Sequence, residues 1–134
     1  MQTHFITINK YNMTNDSKNK TYDLEERTFL FALMVRAYIK KLPRNINNFE
    51  DGKQLVRSSG SVGANYIEAN DSLGDKDKLM KIRICRKESK ESKYWLRLLD
   101  TDDNVVLEKQ RVELVQEAHE LMLIFGSILK NLNR

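Results

Sequence analysis

Between Lys76 and Arg97 the chain carries nine basic residues and three acidic ones. Wound at about 100° per residue, Lys76, Arg83, Arg86, Lys87, Lys90, Lys93 and Arg97 fall within about 120° of one another on a helix. A row of ammonium and guanidinium groups on one side of a rod can neutralise successive phosphates of a nucleic-acid backbone. The run holds no base-reading motif, so binding there would follow shape and charge rather than sequence. Arg83, Arg86, Lys87, Lys90, Lys93 and Arg97 are therefore the candidate nucleic-acid contacts. The alternative is a solvated helix face, which is what most charge runs are.

Other chemistry has few carriers. His4 and His119 are far apart, and neither has a Cys or carboxylate at metal-ligand spacing. Glu117 and Glu120 flank His119, but a helical histidine is more often a surface residue than a ligand. Cys85 falls on an apolar seam, where a thiol behaves as a small hydrophobe, and no base is apparent nearby. The run Ser58-Ser59-Gly60-Ser61-Val62-Gly63-Ala64 resembles a phosphate loop only in composition. It lacks the Gly-Lys-Ser/Thr ending and the preceding strand. Inside a helix it is instead a small-residue face. Each interior Gly costs roughly 1 kcal/mol against Ala, which close approach by a neighbouring helix would offset. No catalytic residue, metal site or cofactor is expected, and the chain reads as a non-enzyme.

The elements that must carry the basic row are helices. With one Pro and five Gly in 134 residues, the chain is too short of turn formers for a many-stranded sheet. Its length suits one domain. The first helix is expected from about Leu24 to Leu42, with Asp23 and Glu26 at capping-box spacing and Pro43 ending it. A second should start near Asn47 and fade at Asn70-Asp71. A third should follow Gly74, capped by Asp75, and run to about Asp100. After the turn Thr101-Asp102-Asp103-Asn104, a fourth should run from Val105 to Leu132. Ile82, Cys85, Ser89, Ser92, Leu96 and Leu99 make a bundle seam on the third. Leu107, Leu114, Ala118, Leu121, Phe125, Ile128 and Leu132 make one on the fourth, with Arg111 at the missing position. Short connections make consecutive helices antiparallel neighbours. The expected fold is all-α, an up-down-up-down antiparallel four-helix bundle over residues 21–134. Residues 1–20, polar apart from Phe5-Ile6-Thr7-Ile8, read as a flexible arm.

Two faces exceed what one bundle needs. The first helix has one apolar stripe at Phe31, Met34, Val35, Tyr38 and Leu42 and a second at Leu30, Leu33 and Ala37. The second stripe is either a broad contact with both neighbouring helices or an interface with another copy. On the third helix Trp95 lies off the seam, as an interface anchor or packed at the bundle edge.

The segment Gln54-Leu55-Val56-Arg57-Ser58-Ser59-Gly60-Ser61-Val62-Gly63-Ala64-Asn65-Tyr66-Ile67-Glu68-Ala69 closely resembles the second-helix signature of proteins encoded in 23S rRNA intervening sequences. The run from Lys87 to Leu99, with its Glu and Tyr-Trp-Leu pattern, resembles that family's third helix. The resemblance covers about residues 22–133. It implies an antiparallel bundle and a likeness to the accessory variability determinant of diversity-generating retroelements. That relative is a barrel-shaped homopentamer that binds nucleic acid and a reverse transcriptase. The matching polar positions are Arg57, Ser61, Asn65 and Glu68 on one face of the second helix and Glu91 on the third. They are expected to form a buried structural network centred on Arg57 and Glu91.

Taken together, the expectation is a non-catalytic homo-oligomer, a pentamer by the resemblance, that binds RNA or DNA through the basic row and uses Leu30, Leu33, Ala37 and Trp95 between copies. The rival is a protein-binding adaptor using the oligomer rim and the Trp95 face. A single cysteine, no apolar run of membrane-spanning length and no leader pattern at the N-terminus make a cytoplasmic location the expectation.

Overall fold

A computed structural model of the chain describes residues 23–133. The arm expected over residues 1–20 lies outside the described residues. Four helices follow one another: α1 (Asp23–Ile39), α2 (Ile46–Asn70), α3 (Asp75–Leu98) and α4 (Val105–Leu132). Each packs on the next, and α1 also touches α4, which closes the bundle. Among the described residues there is no strand.

Local chemistry sets the helix ends. α1 stops three residues before the expected Leu42. Leu42 precedes Pro43 and is pushed out of the α region, so the chain tightens through i→i+3 bonds from Lys41 N to Tyr38 O and from Leu42 N to Ile39 O. Asn45 caps α2 by accepting from Asn48 N at 2.9 Å. Asn104 caps α4 by accepting from Leu107 N at 3.0 Å. The cap of α3 is Gly74, which has no side chain to offer, and Asp75 is the first helical residue rather than the expected cap. Asp75 and Asp77 still face the positive end of that helix. In the α3–α4 turn, Asp102 and Asp103 take left-handed φ values of 55° and 57°, which Asp tolerates better than most residues. The turns at this end are tied together. Asn48 donates to Asp100 O at 2.8 Å and accepts from Asp100 N at 2.8 Å.

The core runs along the bundle axis through Phe31, Val35, Leu55, Val62, Ile82, Leu96, Leu114, Leu121 and Phe125. The small seam of α3 lets α2 come close. Ser58 and Ser92 share a hydrogen bond at 2.9 Å, and Cys85 Sγ donates to Val62 O at 3.4 Å. On α4 the expected seam holds through Phe125. Leu129 is then buried in place of the expected Ile128, which is half-buried, and Leu132 is exposed, because a straight helix drifts against a 3.5-residue repeat. Arg27 of α1 forms a two-point ion pair with Glu117 of α4, at 2.8 Å for both bonds, and also reaches Glu120.

Candidate nucleic-acid interface

The outer face of α3 meets α4 in an open groove of about 740 Å³. Arg83, Arg86, Lys87 and Lys90 line it from α3, and Met122, Gly126, Leu129, Lys130 and Asn133 from α4. Gly126 lines the groove on the α4 side, beneath Arg86. A Cβ there would lie 3.8 Å from Arg86 Nε, in ordinary van der Waals contact with the guanidinium above it. Among the described residues, Arg83, Arg86, Lys90 and Lys130 form no ion pair. Lys87 reaches only Glu91, at 4.0 Å. Five cations facing one trough with few counter-charges repel one another, and an anion laid between them would relieve that repulsion.

Four of the six expected contacts thus line one trough. Arg97 is exposed further along α3, outside the groove lining. Lys93 turns toward α4, its Nζ 3.2 Å from Nδ1 of His119, and is half-buried. Lys130 and Asn133 were not among the sequence candidates. They become visible only once α3 and α4 are known to be neighbours.

The five polar positions of α2 and α3 form separate small groups rather than one buried network. Arg57 Nη2 lies 3.3 Å from Glu91 Oε1, the pair expected at its centre, but the Arg57 side chain is 54% exposed. Asn65 folds back on its own helix, donating to Ser61 O at 2.8 Å and Ser61 Oγ at 2.9 Å. Glu68 is exposed and binds Lys81 at 2.7 Å. The buried acid is Glu88, whose Oε2 is 3.5 Å from Arg57 Nη1. Burial moves from the expected positions because Arg57 and Glu68 are long enough to reach solvent from the helix edge.

The apolar surplus of α1 lies beside α2. Phe29 and Leu33, 57% and 50% exposed, flank a groove of about 370 Å³ whose other wall is Gly60, Gly63, Ala64 and Ile67. Of the four residues expected between copies, Leu33 lines this groove. Leu30 and Trp95 pack against the core, and Ala37 is half-buried.

Residues 20–127 match the family model described as 23S rRNA-intervening sequence protein. The chain belongs to that family. It is also similar to a crystal structure described as a protein of unknown function from the S23 ribosomal protein family of Bacteroides thetaiotaomicron VPI-5482. The two share 29% identity and a TM-score of 0.69, covering 79% of this chain and 97% of the other. A comparison with curated proteins found no match.

In this member of the intervening-sequence family burial shifts the side chains of Cys85 and Tyr38. Desolvation pushes the Cys85 thiol up to about 12, so it stays protonated at neutral pH and is a poor nucleophile. Burial also raises Tyr38, to about 12, and its hydroxyl donates to Leu107 O at 3.0 Å. Among the described residues no three His, Cys, Asp or Glu are grouped as a metal site requires. None of the described helices is long and apolar enough to cross a membrane.

Proposed function

We propose that this intervening-sequence family protein is a non-catalytic binding protein that self-associates into a ring, of five copies by its resemblance to the retroelement accessory determinant, and holds RNA or DNA along the α3–α4 trough. One observation carries the nucleic-acid reading. Arg83, Arg86, Lys87 and Lys90 converge with Lys130 on a single groove, with scarcely a carboxylate to neutralise them. A merely solvated charge run would scatter its cations or pair them along the helix. Support for self-association is the exposed apolar wall of Phe29, Leu33 and Ile67.

Binding of labelled RNA and DNA at several salt concentrations tests the trough. Neutralising about six phosphates would cost a thousandfold or more in affinity between low and moderate salt. The double reversal Arg86→Glu/Lys90→Glu should weaken binding strongly and flatten the salt dependence by about two contacts. Unchanged affinity and slope in that variant would remove the trough as the site.

A protein-binding adaptor is the second reading. It is favoured by exposed apolar side chains at the end of the bundle holding the α1–α2 and α3–α4 turns, where Ile46 is 70% and Val105 82% exposed. Capture of a protein partner that survives nuclease and high salt, and is lost in Ile46→Lys/Val105→Lys, would favour it.

A further inference from the structure

Tyr94 is 54% exposed and lies along the basic row near one of its edges, with Lys90 one turn before it and Arg97 one turn after. At 100° per residue it falls between Arg83 and Lys87 on the wheel; its other near neighbours are Glu91, already paired with Arg57 and Lys87, and Leu98. Its ring meets Trp95 edge-on, with centroids 5.1 Å apart and planes at 77°. Trp95 itself packs against the core, which gives the exposed ring a fixed backing. The Tyr94 hydroxyl has no hydrogen-bond partner among the described residues, so neither the core nor a polar contact explains the ring.

We infer that Tyr94, one turn beyond the trough's last α3 cation, Lys90, is a stacking platform for an unpaired base, and that the basic face of α3 takes single-stranded rather than duplex nucleic acid. This rests on the reading of the α3 cations as phosphate contacts. An exposed aromatic face adds little to duplex binding, because paired bases present phosphates and groove edges and keep their π-faces stacked on each other. An unpaired strand offers both groups at once. Phosphates follow Arg83, Lys87, Lys90 and Arg97 along about 21 Å of helix, and a splayed base lies flat on Tyr94. The Trp95 contact orients the ring beforehand and lowers the entropy lost when a base lands on it. The chemistry is common to RNA and DNA, since every base has a π-face.

The test is fluorescence anisotropy with the full chain and three labelled probes: a mixed-sequence single-stranded RNA, the same sequence as single-stranded DNA, and its duplex. Tyr94→Leu keeps an apolar contact with Trp95 and removes the π-face. It should weaken both single strands by about tenfold, leave the duplex unaffected and leave the salt slope unchanged, because stacking releases no counterions. Tyr94→Phe should bind single strands nearly as the wild type does, which separates loss of the ring from damage to the helix. A difference between the RNA and DNA arms would identify the strand preferred. If Tyr94→Leu binds single strands as the wild type does, or loses duplex equally, the platform is overturned while a loss in Arg86→Glu/Lys90→Glu upholds the phosphate trough. If that charge reversal changes nothing, or no probe binds, both readings fall together.

Discussion

Gly60 and Gly63 are three residues apart on α2, yet the same substitution should affect them very unequally. A Cβ on Gly63 would come within 2.9 Å of Thr28 Oγ1 and 3.2 Å of Thr28 Cβ. Thr28 is fully buried and bonded to the carbonyls of Leu24 and Glu25, so it cannot retreat. Gly63→Ala should therefore push α1 from α2 and cost about 1–3 kcal/mol, as overpacking does. A Cβ on Gly60 would meet only the end of the Arg36 side chain, at 3.1 Å. That guanidinium is the end of a flexible side chain, though it donates to Ala32 O and Val56 O, so the gain in helix propensity is offset by the shift it must make and Gly60→Ala should be near neutral. Chemical denaturation of both variants checks the pair, and equal effects would contradict the tight α1–α2 approach. The sequence shows a small-residue face here but not which glycine lies under which neighbour, because that depends on the rotation of α1 about its own axis. The same limit applied to Arg57, Ser61, Asn65 and Glu68. Their spacing places them on one helical face, while the buried acid opposite, Glu88, depends on where α3 crosses. The α3 cations were legible as a row, because helical winding alone gathers them.

At the scale of elements, the end of α3 depends on α4. The last carbonyls of a helix lack intrahelical donors, and α3 ends without a glycine or a side-chain cap of its own. Arg111 of α4 supplies the donors, its two terminal nitrogens bonding Leu96 O and Leu99 O. Glu108 holds the guanidinium at 3.0 Å and accepts in turn from the Thr101 hydroxyl. Those bonds keep the Glu108 carboxyl below its usual range. This explains a break in the pattern, an arginine where the α4 seam calls for an apolar residue. Arg111→Leu would complete the seam by composition and lose the clamp. It should cost about 2–3 kcal/mol, the worth of charge-assisted bonds to carbonyls that would otherwise be orphaned. Thermal melts would show it as a lower midpoint, whereas a midpoint equal to the wild type would mean that water serves those carbonyls as well. Helix number, order and most boundaries were legible from periodicity and breakers. The early end of α1 and the Gly74 cap were not, since single-residue geometry decides them.

For the whole molecule, the question is how an apolar wall stays exposed on one copy. Phe29 and Leu33 lie one turn apart on α1, and Ile67 faces them from α2 at 48% exposed. Single exposed apolar residues are ordinary, but three around one groove form a patch of the kind that marks association sites. α1 is also the helix with the lightest packing on its neighbours, touching α4 far less than α3 does. A second copy covering the groove would hold α1 in place as well as hide the patch, so assembly and stability should be linked. The charged pair Phe29→Glu/Leu33→Glu places two carboxylates in that groove and changes nothing facing the core. It should convert an assembled protein into single chains by light scattering and make unfolding independent of protein concentration. The wild type should unfold at a higher temperature as its concentration rises. A wild-type protein with the mass of one chain, melting at the same temperature at every concentration, would leave the groove with no copy to cover it. The trough between α3 and α4 would then have to act alone, with five cations per molecule rather than a ring of repeated troughs. Affinity for long RNA would no longer exceed affinity for short RNA, because the advantage of linked sites would be absent.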